Sequence, residues 1–193
     1  MSQMDNFKLE ILKVIKNAAT ECKSCELCTK RTQVVFDNGN PNSSILIVGE
    51  APGATEDQQG IPFVGDAGKV LNEALSSINI QRQNIYISNI VKCRPPQNRV
   101  PTEQERNTCG HFLLEEIEVI QPKLIVALGA TSSHYLLSNN KPMKELAGTI
   151  NKITIKNIDY PVLTNYHPAS LLYNPKLKNI FLGNFQLILP YIQ

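Results

Sequence analysis

The sequence predicts an α/β fold, a three-layer α/β/α sandwich with a mostly parallel central sheet. Short apolar runs typical of buried parallel strands alternate along the chain with segments of helical periodicity. The chain has 193 residues, 42% of them hydrophobic and 19% charged, which is enough for one domain with a full core. We therefore expect a single domain over 1–193, with an N-terminal helix and a cysteine-bearing loop at 5–36.

Each element follows from its own pattern. Apolar residues at helical spacing predict helices at 5–21, 70–78, 131–137 and about 176–190, and a T-x-x-E capping box begins another at Thr102 that runs to about Ile120. Apolar runs predict strands at 44–49, 85–91, 123–129, 152–156 and 160–164. The alternation of the two kinds of element predicts helices on both faces of the sheet.

Composition excludes several classes of protein. Nineteen basic against seventeen acidic residues give a net charge of +2, too small to indicate a nucleic-acid binder by itself. No apolar run approaches the roughly 20 residues that span a bilayer, and the first residues do not resemble a signal peptide. We expect a cytoplasmic protein without a membrane segment. Any basic footprint for nucleic acid must be local, as in Lys92, Arg94 and Arg99.

Three segments fall at predicted carboxyl ends of strands, where open parallel sheets bind ligands. They are GEAPG at 49–53, Ser88 with Asn89, and His167 with Pro168. The first begins a stretch of twenty residues, 49–68, with five glycines, and long loops inside compact domains are usually functional. It lacks the lysine of a phosphate-binding loop.

Individual residues of these segments have chemical uses. Gly53 permits close backbone approach to a ligand, and Glu50 and Glu56 supply acceptors. Asn89 is unusual within a strand, and a buried amide there would match a planar ligand with both a donor and an acceptor. His167 is a candidate catalytic residue, although a lone histidine is more often structural.

Five cysteines, an odd number, favour a metal or redox site over a disulfide framework. Cys22-x2-Cys25 and Cys93-x15-Cys109 would make a four-cysteine site if the fold brought the pairs together. Zinc and a [4Fe–4S] cluster both accept four thiolates, and the spacing does not separate them. Cys28 is a rival ligand on spacing alone. Cys93 and Cys109 could also be small buried residues.

A series of short segments with a distinctive order and spacing runs from Cys22 to the C-terminal helix. They are CKSC-x-L-x3-RT-x-VV at 22–35, GNP at 39–41, VGEAPG at 48–53, ED at 56–57, G-x-PFVG-x-AG at 60–68, ISNIVKCRPPQNR at 87–99, Cys109, LIVALGA at 124–130 and HPASLL at 167–172. In these segments the chain resembles the family 4 uracil-DNA glycosylases, the iron–sulfur branch of that superfamily.

The resemblance implies hydrolysis of the N-glycosidic bond of deoxyuridine in DNA, which releases uracil and leaves an abasic site. It implies a [4Fe–4S] cluster on Cys22, Cys25, Cys93 and Cys109, without Cys28. The resemblance implies uracil-containing DNA as the partner, and we expect a monomer to bind it. The bond cannot be reached within a stacked duplex, so the nucleotide must be flipped into a pocket.

The resemblance also implies roles in the pocket. Phe63 would stack on uracil, Asn89 would read its Watson–Crick edge, and His167 would donate to O2 as charge develops there. Glu56 would help exclude the thymine methyl group. The backbone at Ala51 and Gly53 would contact the base.

On the DNA side, the resemblance implies a wedge that enters the duplex. Its residues are Ala169, Ser170, Leu171 and Leu172. Lys92, Arg94 and Arg99 could contact phosphates. Ala51 stands where another branch of the superfamily has a water-activating aspartate, so Glu50 is the nearest group to orient water.

Two other functions fit parts of the pattern. One is a non-catalytic zinc- or iron–sulfur-bearing nucleic-acid-binding module, which would release no base. The other is a nucleotide hydrolase that uses GEAPG on phosphates, and the missing lysine argues against it.

Overall fold

A computed structural model describes residues 3–37 and 39–192. Its described residues contain one five-stranded sheet with the order β2-β1-β3-β5-β4. The strands are β1 Ile45–Gly49, β2 Tyr86–Asn89, β3 Leu124–Leu128, β4 Ile150–Ile155 and β5 Ile158–Asn165. All neighbours pair in parallel except β4 and β5, which form an antiparallel hairpin at one edge. The predicted mostly parallel sheet is confirmed.

Helices cover both faces of this sheet. They are α1 Gln3–Glu21, α2 Ala54–Gln59, α3 Asp66–Ser77, α4 Glu103–Cys109, α5 His111–Ile120, α6 Ala130–Leu137, α7 Met143–Leu146, α8 Pro168–Tyr173 and α9 Lys178–Phe185. Within the described part of the chain, no helix combines the length and the hydropathy that crossing a bilayer requires.

Two apolar clusters make up the core, one on each face of the sheet. Along β1, Leu46 and Val48 pack in the cluster that contains the apolar faces of α1 and α5. Ile45 and Ile47 point to the opposite face and pack in the cluster that contains α3 and α9. Strand side chains alternate between faces, so a strand buried on both sides must be apolar throughout, as β1 is. The predicted three-layer sandwich is confirmed.

Several predicted element bounds were wrong. The helix predicted from Thr102 to Ile120 is interrupted at Gly110, which divides it into α4 and α5. A Cβ at Gly110 would lie 1.8 Å from the hydroxyl of Tyr135, so glycine allows the close packing of α6 there. The final predicted helix is broken into 3-10 turns on either side of α9. The glycine-rich segment contains a short helix, α2, which the prediction lacked.

The strand register brings the predicted functional segments to one edge of the sheet. Gly49, the last residue of β1, is level with Asn89, the last residue of β2. Leu128 at the end of β3 is level with Asn165 at the end of β5, two residues before His167. Loops that leave these four strands therefore meet above the same edge.

Candidate active site

A cavity of about 520 Å³ opens at this edge of the sheet. Residues from the ends of β1, β2, β3 and β5 and from the glycine-rich segment line it. The predicted residues among them are Glu50, Ala51, Gly53, Glu56, Phe63, Asn89, Arg99, His167 and Ala169. The fold thus brings together all the residues that were predicted to contact a base.

Asn89 lies at the floor of the cavity and is only 3% exposed. Its Oδ1 atom is buried and has no hydrogen-bond partner. Leaving a buried acceptor unpaired is costly, and such groups point to a ligand that supplies the missing donor. Gly49 makes room for this arrangement, since a Cβ there would lie 2.3 Å from Asn89 Oδ1 and 2.6 Å from the Phe63 ring.

The Phe63 ring forms an aromatic wall beside Asn89. It is buried, and its centroid lies 5.8 Å from that of the His167 ring, at an interplanar angle of 34°. The backbone of Phe63 has a φ of 52°, a region that residues with side chains rarely adopt.

His167 is held as a neutral donor. It caps the N-terminus of α8, where Nδ1 accepts a hydrogen bond from the Ala169 amide at 3.2 Å. Burial lowers the pKa of His167 to about 4, against the opposing effect of the Glu56 carboxylate. A neutral ring whose Nδ1 accepts a hydrogen bond carries its proton on Nε2. The side chain therefore offers an Nε2–H donor at neutral pH.

Glu56 lies on the first turn of α2, and part of its carboxylate is already engaged. Oε1 accepts hydrogen bonds from the amides of Val64 and Gly65, at 2.9 and 2.7 Å. A Cβ at Gly53 would lie 2.7 Å from Oε2, so glycine is needed beside this carboxylate. Glu56 thus lines the cavity and also holds the turn that carries Phe63.

Glu50 is half-buried at the cavity wall and accepts a hydrogen bond from the hydroxyl of Thr131. Thr131 also lines the cavity but is missing from the sequence-predicted site residues. A signal for it exists in the sequence. Thr131 lies two residues after Gly129, the glycine that ends the third apolar run, and the end of that strand meets the same sheet edge as the other three.

A second feature gathers four cysteines near α4. Cys93 and Cys109 belong to the buried apolar cluster, and Cys22 and Cys25 pack against it. The pKa of the Cys109 thiol is raised to about 11, chiefly by burial, with Lys92 opposing the rise and Cys93 and Cys25 contributing to it. Burial likewise raises the pKa of Cys93, and Cys25 and Cys22 add to the rise. Cys22 and Cys25 therefore lie close enough to Cys93 to act on its pKa, and Cys25 and Cys93 act in the same way on Cys109.

Cys28 stands apart from this group. Burial raises the pKa of Cys25, and Cys22 and Cys28 add to the rise, whereas the cysteines that contribute most to the raised pKa values of Cys93 and Cys109 are the other members of the group. Arg31 donates to Cys93 Sγ at 3.1 Å, and the Lys92 amide donates to Cys109 Sγ at 3.3 Å. Donors of this kind stabilise metal-bound thiolates. In residues 3–37 and 39–192, no three His, Cys, Asp or Glu side chains lie close enough together to bind one metal ion. A [4Fe–4S] cubane does not require this, because each of its four cysteine ligands binds a different iron.

The prediction that Lys92 contacts DNA phosphates is wrong. Its side chain is 1% exposed, and its ammonium group pairs with Glu116 of α5 beneath the sheet end. The same group donates to Ser88 Oγ at 2.5 Å and to the Asn89 carbonyl at 3.1 Å. A cation buried in this way supports the strand that carries Asn89 and cannot reach a phosphate.

We expect Lys92→Met to lower the thermal unfolding midpoint by roughly 6–20 °C. Removing one partner of a buried ion pair costs about 3–5 kcal/mol, and each kcal/mol shifts the midpoint by about 2–4 °C at this size. Adding Glu116→Gln should recover part of the loss, because it removes the unpaired charge. Calorimetry measures both effects, and an unchanged midpoint in Lys92→Met would contradict the ion pair.

The other predicted DNA contacts divide between surface and core. Arg94 is half-buried and donates to Asn98 Oδ1 at 2.8 Å. Arg99 is exposed at the cavity rim and forms a two-pronged pair with Glu105, whose pKa it lowers to about 2. The prediction that Leu171 enters the duplex is wrong, because its side chain is 8% exposed and packs in the core.

The exposed apolar side chains of α8 are its last two. Leu172 is 51% exposed and Tyr173 is 89% exposed. Ala169 lines the cavity, and the hydroxyl of Ser170 donates to the His167 carbonyl at 2.6 Å. The α8 segment therefore presents apolar groups to solvent within a few residues of His167.

The sequence matches the family model described as "Uracil DNA glycosylase superfamily" over residues 36–186. It is 40% identical over 190 residues to a type-4 uracil-DNA glycosylase of Thermotoga maritima, covering 95% of this chain and 96% of that protein. The chain belongs to the type-4 uracil-DNA glycosylase family. Other type-4 relatives are 40% identical in Sulfurisphaera tokodaii, covering 93% of this chain and 84% of that protein, and 37% identical in Archaeoglobus fulgidus, covering 93% and 92%.

Membership of the type-4 family confirms the resemblance identified in the motifs. The match spans the cavity from Glu50 to His167. Both relatives with 40% identity align over nearly all of the chain, so the cysteine loop falls within a region the family shares.

Proposed function

We propose that this DNA-repair uracil-DNA glycosylase recognises uracil through Asn89 and promotes its release through His167. The flipped deoxyuridine enters the cavity at the carboxyl end of the sheet, with its uracil ring against Phe63. The single observation that carries the proposal is the orphaned Oδ1 of buried Asn89. Uracil supplies its missing partner, the N3–H group.

Selectivity follows from the same amide. With Oδ1 accepting from N3–H, the Asn89 NH2 group donates to O4 of uracil. Cytosine presents the opposite pattern, an acceptor at N3 and a donor at C4, and would leave buried groups unpaired at about 1–3 kcal/mol each. Thymine differs by a methyl group at C5, and Glu56 narrows the cavity on that side.

Cleavage breaks the bond between N1 of uracil and C1′ of the sugar. The electron pair moves onto the base and concentrates charge at O2, where the Nε2–H of neutral His167 donates. A water molecule attacks C1′ to form the new C1′–O bond, and the proton it loses passes through solvent to neutralise the departing uracil anion. Glu50, oriented by Thr131, lies in the cavity to position this water. Ala51 has no group that could do so.

Four cysteines, Cys22, Cys25, Cys93 and Cys109, would hold a [4Fe–4S] cluster. When bound, it ties the loop after α1 to the connection between β2 and α4, and hydrolysis needs no electron transfer from it. The buried thiols of Cys93 and Cys109 with their N–H donors, and the half-buried Cys22 and Cys25 packed against the same apolar cluster, fit a four-thiolate group. Arg94, Arg99, Leu172 and the N-terminal part of α8 face DNA, and we propose a cytoplasmic monomer.

One experiment tests the function directly. Purified protein is incubated with a labelled oligonucleotide that contains one uracil, and alkali then cleaves any abasic site. We expect cleavage at the uracil and none in a matched oligonucleotide with thymine at that position. Binding of both oligonucleotides without base release would favour the non-catalytic module.

We expect His167→Ala to lower the single-turnover rate by roughly 10²–10³-fold with little change in DNA affinity. Charge on O2 develops mainly in the transition state, and removal of one such donor typically costs this much. Rapid-quench measurements separate the rate from binding. Weaker binding at an unchanged chemical rate would reassign His167 to DNA positioning.

The pH dependence provides a further check on His167. Because its pKa is near 4, the wild-type rate should show no step near pH 6.5, the ordinary pKa of histidine. Protonation below about pH 4 places a donor opposite the Ala169 amide and disrupts the cap.

A further inference from the structure

The Phe63 backbone is held in a conformation that it would not adopt alone. Its φ is 52°, and a bulky side chain there is disfavoured by contact between Cβ and the backbone. Such conformations persist where the surrounding structure over-determines them, and they cluster at functional sites. The groups that hold Phe63 are therefore candidates for a role in base binding.

Glu56 holds the turn on one side of Phe63. Its Oε1 accepts from the amides of Val64 and Gly65, the two residues that follow Phe63. The start of α3 packs directly against the turn at Gly68. A Cβ at Gly68 would lie 1.9 Å from the Phe63 carbonyl oxygen, so only glycine allows this contact.

Arg82 holds the other side. It lies in the 3-10 turn Arg82–Asn84, just before β2, and its guanidinium donates to two consecutive carbonyls. Nη1 is 2.9 Å from the Phe63 oxygen, and Nη2 donates to the Pro62 oxygen. A planar guanidinium can bridge two acceptors at a fixed angle, which a lysine ammonium cannot do.

Neighbouring residues hold the Arg82 guanidinium group in place. Nη1 also donates a hydrogen bond to Asn72 Oδ1 of α3 at 3.3 Å. Burial lowers the pKa of Arg82, and the carboxylates of Asp37 and Glu56 oppose this effect by stabilising its positive charge. Arg82 is half-buried and lines a surface groove with Asp37 and Gln83, separate from the active-site cavity. Any effect of Arg82 on the base must therefore pass through the turn at Phe63.

We propose that Arg82 is a positioning residue that sets the affinity of the cavity for uracil by fixing the Phe63 ring. This rests on the proposed function, because it takes uracil as the ligand of the cavity. Without the two hydrogen bonds from Arg82, the φ of Phe63 in the 62–65 turn relaxes toward ordinary negative values. The Phe63 ring then leaves the plane in which it stacks on the base.

Free uracil is the probe, used as a competitive inhibitor of base release by the purified protein. We compare the inhibition constant for uracil in wild type, Arg82→Met, Arg82→Lys, Phe63→Ala and the double variant Arg82→Met with Phe63→Ala. Loss of base–aromatic stacking in Phe63→Ala should raise the constant roughly 5- to 150-fold. Arg106→Met is the matched control, since Arg106 is half-buried and donates to the Pro101 carbonyl at 2.6 Å, away from Phe63.

We expect Arg82→Met to raise the uracil inhibition constant about tenfold, and Arg82→Lys to raise it as well. Arg106→Met should leave it unchanged. In the Phe63→Ala background, Arg82→Met should have no further effect, because the ring it positions is gone. A purely structural role would lower the unfolding midpoint and leave the inhibition constant of the folded protein at the wild-type value.

An unchanged inhibition constant in Arg82→Met overturns the proposal, and so does an equal effect with and without the Phe63 ring. If Arg82→Met does not fold, Arg82→Lys decides, and a wild-type constant in that variant overturns it. Absence of uracil release by wild type would overturn the proposed function itself. The two failures can be told apart, because failure of the Arg82 proposal alone leaves uracil release by the wild-type protein intact.

Discussion

Asn89→Ala is expected to lower the catalytic efficiency on uracil-containing DNA by roughly 10²–10⁴-fold. The variant loses two hydrogen bonds to the base, and each leaves a buried group on uracil unpaired at about 1–3 kcal/mol. The affinity for DNA should change little, because other residues contact the DNA backbone. Steady-state kinetics and filter binding measure the two quantities, and near-normal release would remove Asn89 from recognition.

Asn89→Asp should also fail on uracil, although it keeps an acceptor. An aspartate lacks the NH2 donor for O4 and places a negative charge beside it. This variant separates hydrogen-bond identity from side-chain size, because Asp and Asn are nearly isosteric.

Stability provides the control for Asn89. Its Oδ1 has no partner, so Asn89→Ala removes an unsatisfied buried acceptor and should leave the unfolding midpoint unchanged or raise it. Asn165 is a matched residue at the end of β5. Its amide donates to the Phe181 carbonyl and accepts from Tyr166 N and Asn184 Nδ2. Asn165→Ala should therefore lower the midpoint, and an equal loss in Asn89→Ala would indicate a structural role.

Cys109→Ala is expected to yield a colourless protein without bound iron. Four thiolates complete a [4Fe–4S] cluster, and removal of one buried ligand prevents its assembly. Binding of a structural metal contributes about 10 kcal/mol or more, comparable to the whole stability of a domain. The loop that carries Cys22 and the segment around Cys93 should then become susceptible to proteolysis.

Cys28→Ala is the matched control for the cluster. Cys28 lies in the same loop as Cys22 and Cys25 and is half-buried, but the family resemblance leaves it out of the ligand set. This variant should keep its brown colour, its iron content and its activity. Iron and zinc are measured by elemental analysis, which also decides between the two metals. Loss of iron in Cys28→Ala, with retention in Cys22→Ala, would show that the ligand assignment is wrong.

The sequence alone predicted the parallel strands and, through them, the edge of the sheet at which the candidate active site lies. The apolar runs at 44–49, 85–91, 123–129 and 160–164 indicate buried parallel strands, and parallel strands place their carboxyl ends at one edge of the sheet. The structure ends the second of these strands at Asn89, two residues earlier than the apolar run. The choice of Asn89, Phe63 and His167 needed the motifs, because each residue type has a more common structural use when taken singly.

Only the tertiary structure decided which charges and apolar groups reach solvent. Lys92 belongs to a basic sequence, yet Glu116 on α5, 24 residues away, draws it into the core. Leu171 and Leu172 are neighbours, and the docking of α8 buries one and exposes the other. The positive φ of Phe63 and its contacts with Arg82 also arise from packing between segments distant in sequence. Local patterns report what a residue prefers, but the free energy of burial and pairing depends on partners that only the folded chain brings together.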